Sequence, residues 1–142
     1  MTDAPDPIRA AIEAHLKADA TLLAMLPMKA AGIYHRRASQ QAKLPVVVHA
    51  FRSGTTTWNF DGELVAVDER WLIRAVAFGR MADRGETVGR QIFTTMTDAA
   101  LVVPGGKAMA CYPEQKIQYS EQVGRELFEH CGWVIRITTS TS

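Results

Sequence analysis

Cysteine is scarce. The 142 residues contain two, Cys111 and Cys131, with neither a CxxC pair nor a Cys/His ligand spacing. That excludes a disulfide scaffold and a zinc motif. Both cysteines sit in strand-like runs and read as buried free thiols. A disulfide between adjacent strands is the alternative, one that an intracellular protein seldom keeps. Long apolar runs are missing as well. No stretch approaches the roughly 18 residues of a membrane-spanning helix, so no membrane partner is expected. The opening MTDAPDPIRAAIEAH lacks an apolar core and is mildly acidic, so no secretory leader is expected. Neither sign of charge is in excess: 16 basic and 15 acidic residues leave a net charge of +1. That balance gives no general drive toward nucleic acid or anionic membranes. A P-loop, a GxSxG elbow, a dinucleotide fingerprint and an HExxH pair are all absent. There is no internal repeat and no low-complexity segment.

What remains is the composition of an ordinary globular domain. Hydrophobic residues make up 47% and charged residues 22%, enough apolar material for a core without metal or disulfides. The length predicts one domain over residues 1–142, with a frayed Ser/Thr tail at 139–142.

The chain opens on a helix. Asp6 is a good N-cap, Pro7 suits the first helical position, and Ile8, Ile12 and Leu16 form one apolar stripe with Ala11 beside them. Asp19 reads as a second N-cap before Leu22, Leu23 and Leu26, and Pro27 ends that run. One bent helix or two short ones are therefore expected over residues 7–26. Gly32 marks a turn, and 33–35 reads as a short strand. Leu44-Pro45 opens a β-branched strand, Val46-Val47-Val48, that continues to Phe51. Ser53 to Thr57 is small and polar, with Gly54 as a breaker. Asp61-Gly62 is a hairpin signal inside a segment carrying Trp58, Phe60, Leu64, Val65 and Val67. Glu69 to Phe78 is the clearest strand, its second face broken only by Arg74. A helix is expected from Met81 or Asp83 to Ala100, with Asp83 and Glu86 as a capping box. Gly85 and Gly89 weaken it but permit close packing on a sheet. After the break at Pro104-Gly105-Gly106, residues 107–117 and 133–138 alternate as two antiparallel strands around a polar stretch, 118–130.

This order predicts an α+β domain. Its single mainly antiparallel or mixed sheet has about four to five strands, with two helices on one face and an extended β-like loop.

Little in the sequence points to catalysis. The four histidines, His15, His35, His49 and His130, are not spaced as metal pairs. His130 adjoins Cys131, but neighbouring strand residues point to opposite faces, which spoils thiolate activation. The Asp61/Glu63 and Asp68/Glu69 carboxylates read as solvated loop charges. No catalytic residue, cofactor or metal is assigned, and the chain is not expected to be an enzyme. The basic run His35-Arg36-Arg37, with Lys43 and Arg52, reads first as a solvated loop. Its functional alternative is a face toward passing DNA or an acidic partner, with Arg36, Arg37 and Arg52 as the candidates. Aromatics in a polar excursion are more informative. Trp58 and Phe60, with Leu64, either cap a sheet edge or anchor a neighbouring subunit. The same pair of readings applies to Tyr119, Leu127 and Phe128.

The order of features resembles a known group. It runs from the N-terminal helix and Lys17-Ala18-Asp19-Ala20-Thr21-Leu22-Leu23-Ala24-Met25-Leu26 through Gly32-Ile33-Tyr34-His35, a polar loop and Leu44-Pro45-Val46-Val47-Val48. Trp71-Leu72-Ile73-Arg74-Ala75, the helix after Gly79, and a closing strand pair with Tyr119 and Glu121 complete it. This is similar to the small tail-completion or tail-terminator proteins of long-tailed bacteriophages and related gene-transfer particles. The resemblance implies a structural virion protein that forms a ring with itself, typically a hexamer, at the head-proximal end of the tail tube. It implies contact with the tail tube protein on one side and a head-completion or neck protein on the other. DNA passes through the lumen without sequence reading, and the protein is made in the host cytoplasm. A ring needs two different complementary patches on each subunit, and the 53–68 excursion is expected to supply one. A monomeric or dimeric neck adaptor, or a small enzyme of unassigned reaction, are the other readings.

Overall fold

The computed structural model describes residues 6–58, 64–102 and 108–139. Two short helices come first, α1 (Pro7–Lys17) and α2 (Ala20–Ala24), followed by a 3-10 turn over Lys29–Gly32. Strand β1 (Ile33–His35) leads to the long strands β2 (Val46–Trp58) and β3 (Leu64–Phe78). Helix α3 (Ala82–Met96) then precedes β4 (Ala100–Val102), β5 (Ala108–Val123) and β6 (Glu126–Thr139). Among the described residues the sheet has six strands, in the order β1-β2-β3-β6-β5-β4. Only β1 and β2 run parallel; the other neighbours are antiparallel.

Sequence chemistry explains the N-terminal half closely. The Asp6 carboxylate accepts from the Ile8 amide at 2.9 Å, and Asp19 accepts from the amides of Thr21 and Leu22 at 3.0 and 3.2 Å. Each cap satisfies amides that the first turn of a helix leaves free. The 7–26 region therefore forms two helices, separated at Ala18.

One face of the sheet holds the core. Ile8, Ile12 and Leu16 of α1, Leu22 of α2, and Val88, Ile92 and Met96 of α3 pack on Val47, Trp71, Ile73, Ala75, Ile135 and Ile137. Each such side chain contributes about 1.5–3 kcal/mol relative to an exposed one. Helix α3 lies close because it has glycine where it crosses β6. A Cβ on Gly89 would stand 2.7 Å from the Cys131 sulfur, inside van der Waals contact. The opposite face presents Leu72, Arg74, Val76 and Phe78 of β3 beside Val134 and His130 of β6.

Several expectations are corrected. The α+β class and the single mixed sheet are as expected; among the described residues that sheet has six strands, slightly more than the four or five that the sequence suggests. Ser53–Thr57 does not break β2: a bulge follows Phe51, and Gly54 (φ 121°) lets the strand press on the Asp68 backbone and continue. Trp58 and Leu64 lie on two paired strands, in keeping with a β-excursion at this segment. The polar 118–130 stretch is also a hairpin, turning at Gly124-Arg125 with Gly124 at φ 62°. Its polarity reflects wet strands rather than a loop. Helix α3 begins one residue before Asp83 with no side-chain cap, so the Asp83/Glu86 box does not form. It ends at Met96, where Asp98 turns left-handed (φ 55°), and Ala100 starts β4. That three-residue strand carries too little pattern to be read from sequence.

Candidate functional site

Among the described residues, three surfaces of the sheet hold most of the sequence candidates. The first is an arm. Pairing between β3 and β6 starts at Asp68, and β1 pairs with β2 only along Val47–His49. Thr56, Thr57 and Trp58 therefore pair with Val67, Ala66 and Leu64 and, among the described residues, with no third strand. Trp58 and Leu64 are the last register partners of this pairing. Phe60 lies outside the described residues. A two-stranded ribbon is marginally stable in water by itself, so an arm of this kind gains from a surface to rest on.

The second surface is an apolar groove at the other end of the sheet, on the face opposite the helices. It encloses about 280 Å3 and is lined by Leu44, Val76, Phe78, Val123 and Phe128, with the 38–42 segment as one wall and Glu121 at the side. Phe128 stacks on Phe78, with ring centroids 5.6 Å apart. Val123 and Leu127 are exposed beside it, at 58% and 45%. Arg37 and Lys43 flank the wall segment in the chain, Arg37 exposed. The sequence singles out Phe128 and Leu127 but not the groove itself. Its parts come from β3, β5, β6 and the 38–44 loop.

Tyr119 sits next to this groove and has a structural partner. Its ring stacks on His130 at 4.4 Å and 7°. His130 Nδ1 accepts from Arg74 Nε at 3.1 Å, which leaves the proton on Nε2 to donate to Glu121 at 3.1 Å. Burial lowers the His130 pKa, the positive Arg74 lowers it further, and Glu121 opposes both. The imidazole is thus a neutral link tying β5, β6 and β3 together. Both of its nitrogens are used, and Cys131 points to the helix side against Gly89. Burial raises the Cys131 thiol and pushes Cys111 up to about 12. Both thiols are buried and free. Such protonated thiols are poor nucleophiles. Among the described residues, no group of three His, Cys, Asp or Glu side chains is placed to hold a metal ion.

The third surface is a cavity of about 580 Å3 between α1 and the β1–β2 edge, lined by Asp6, Arg9, His35, Arg36, Ala50, Phe51 and Trp71. Arg9 Nη1 donates to His35 Nδ1 at 3.1 Å. Phe51 meets Trp71 edge-on at 5.8 Å. Arg36 adopts a left-handed backbone (φ 71°) while its amide donates to the His49 carbonyl at 2.9 Å. Of the basic candidates, Arg36 lines this cavity; Arg37 and Arg52 are exposed but line none of the three surfaces. Arg9 and Phe51 are not singled out by the sequence. Arg9 looks like an outer-face helix residue, and Phe51 like a core strand residue.

Behind this cavity His49 is fully buried, and neither ring nitrogen has a hydrogen-bond partner among the described residues. Its ring stacks on His35 at 5.3 Å, and the nearest carboxylate, Glu13, is 3.7 Å away. Burial lowers its pKa from 6.5 to about 4; His35 and Arg9 push the same way, and Glu13 opposes.

No family model and no curated protein matches the sequence. Among solved structures, the chain is similar to one in the virion of a native gene transfer agent particle. The TM-score is 0.65 at 11% identity, covering 92% of this chain and 94% of that one. At that identity the likeness is one of fold, and it spans nearly the whole of both chains.

Proposed function

We propose that this chain is a structural virion protein without enzymatic activity, forming a ring at the head-proximal end of a phage-like tail tube. The ring ends tube polymerisation and presents a surface to a head-completion protein, while DNA passes through its lumen. The observation that carries the reading is the whole-chain fold shared with a chain of the gene transfer agent virion. The arm supports it: a cyclic ring uses heterologous contacts, and a pair of strand ends without a third partner supplies one half of such a contact. The net charge of +1 suits a lumen that DNA must traverse without being held.

In this reading the 53–68 excursion crosses to the adjacent subunit, with Trp58, Phe60 and Leu64 as its apolar residues. Six subunits is the number that the family resemblance implies. The test is to replace Trp58 and Phe60 together by Ala and compare native mass with circular dichroism. The ring is expected to weaken while the protomer stays folded. A ring of unchanged mass and stability would remove the arm from the interface. A protein that stays monomeric or dimeric alone and on tail tubes, yet binds a head-side protein, would instead be a neck adaptor.

A further inference from the structure

We propose that the cavity between α1 and the β1–β2 edge binds an acidic peptide segment of another protein, an extended stretch in which a carboxylate stands beside an apolar or aromatic side chain. The inference goes beyond the ring reading and stands without it.

The lining sets the charge. Arg9 and Arg36 both line the cavity, and neither forms an ion pair among the described residues. Asp6, the acidic member of the lining, accepts from the Ile8 amide at 2.9 Å to cap α1. Glu13 lies 3.6 Å from Lys17 and 3.7 Å from His49. Two fixed positive charges are thus set against one carboxylate that already serves as a cap. His35 adds a neutral donor. Burial, Arg9 and Arg36 all lower its pKa. Its Nδ1 accepts from Arg9 Nη1 at 3.1 Å, so the imidazole proton sits on Nε2. Guanidinium forks beside an imidazole N–H suit the two oxygens of a carboxylate.

The lining also sets the shape. The volume of about 580 Å3 falls within the about 300–1,000 Å3 of ligand sites, room for a side chain and not only an ion. One wall is aromatic: Phe51 meets Trp71 edge-on at 5.8 Å, with Trp71 1% and Phe51 49% exposed. An apolar wall beside cations matches an apolar group beside a carboxylate. The same wall disfavours a nucleic-acid duplex, which takes its phosphate contacts from exposed cations and has no use for an aromatic recess.

The sheet edge supplies main-chain pairing. Strand β1 ends at His35, and Arg36 follows with a left-handed backbone (φ 71°), its amide donating to the His49 carbonyl at 2.9 Å. From Ala50 onward β2 has no strand on that side among the described residues. Ala50 and Phe51 therefore begin an open edge and also line the cavity. A peptide that adds to this edge continues the line of β1 and alternates its side chains between the two faces.

The experiment uses the full chain and an array of short synthetic peptides, each with one Asp or Glu and one Phe, Tyr or Leu at varied spacing. Binding is read by fluorescence anisotropy beside the Asn and Gln counterparts and a labelled DNA duplex. Acidic members should bind with a Kd of about 1 mM or tighter, at least about tenfold better than their amide counterparts, and more weakly as salt rises. Arg36→Asn keeps a residue that tolerates the left-handed backbone. It and Arg9→Gln should each weaken binding at least about tenfold, Arg36→Lys less so, with folding checked by circular dichroism. Phe51→Ala should weaken it as well, and N-methylation of alternate peptide amides should abolish it. An array in which no acidic member binds within about 1 mM overturns the proposal. So does binding to which Arg9→Gln and Arg36→Asn are both indifferent. A duplex that binds more tightly than every peptide and loses affinity in those two variants overturns it too, making the cavity a nucleic-acid contact. A chain that binds acidic peptides through Arg9 and Arg36 yet never closes a ring upholds the proposal and removes only the ring reading.

Discussion

Acidification from pH 7 to pH 5 should loosen this protein chiefly through the buried His49. The ring is fully buried, has no hydrogen-bond partner on either nitrogen among the described residues, and is held neutral with a pKa lowered from 6.5 to about 4. The unfolded chain takes up this proton at ordinary pH values and the folded chain does not. The stability that His49 contributes is therefore fully present above pH 6.5. It is lost as the pH falls from 6.5 toward about 4. At about pH 5 the loss is about 2 kcal/mol, and it levels off at roughly 3 kcal/mol in stronger acid. The groups facing the ring set this balance: Glu13 and Arg9 from α1 and His35 from β1. His35, also lowered by burial and by Arg9 and Arg36, adds in the same direction. For a domain of marginal stability, about 2 kcal/mol is a large share of the total. The assay is urea unfolding at pH 7 and pH 5 for wild type and His49→Leu. The variant removes the titrating group and an unsatisfied buried ring at similar volume. Its stability at pH 7 should match or exceed wild type, and its loss on going to pH 5 should be smaller by about 2 kcal/mol. Identical pH dependence in the two proteins would refute the reasoning.

Three other outcomes follow from the packing. Gly89→Ala sets a Cβ 2.7 Å from the Cys131 sulfur; thermal melting should show a loss of about 1–3 kcal/mol, partly recovered by adding Cys131→Ala. Asp19 caps α2 and also accepts from Gln91 Nε2 at 2.9 Å and from the Thr95 hydroxyl of α3. Asp19→Ala should cost about 2 kcal/mol in urea unfolding, with Asp19→Asn losing less. Cys111 and Cys131 should resist a thiol reagent in the native protein and both react in denaturant; prompt labelling of either in native buffer would contradict their burial.

The sequence is most informative where local chemistry decides. Two aspartate caps, the Ile8/Ile12/Leu16 stripe and the alternation from Glu69 to Phe78 each specify an element without help from the rest of the chain, and all three are present. It is least informative where pairing across the sheet overrides composition. Thr55–Thr57 and 118–123 look like loop segments, yet they are strands because a neighbouring strand supplies their hydrogen bonds. The Asp83/Glu86 box fails for the converse reason. Gly79–Met81 is drawn into a 3-10 turn off the end of β3, so the helix starts before Asp83 can cap it. Surfaces are harder still. Phe128 and Tyr119 are legible as unusual apolar residues. Their partners, Phe78 and His130, come together only through the β3–β6–β5 register. The Arg9–His35–Phe51 cavity likewise needs a helix laid against the β1–β2 edge, which no local pattern encodes.

The ring itself is tested most directly by native mass over a concentration series at moderate salt, alone and with purified cognate tail tubes, followed by microscopy of the tube ends. The account predicts a discrete closed species of six 15.7 kDa protomers, or a ring capping one end of each tube and arresting its growth. A chain that stays monomeric in solution, leaves tube ends bare and does not alter tube length would contradict it.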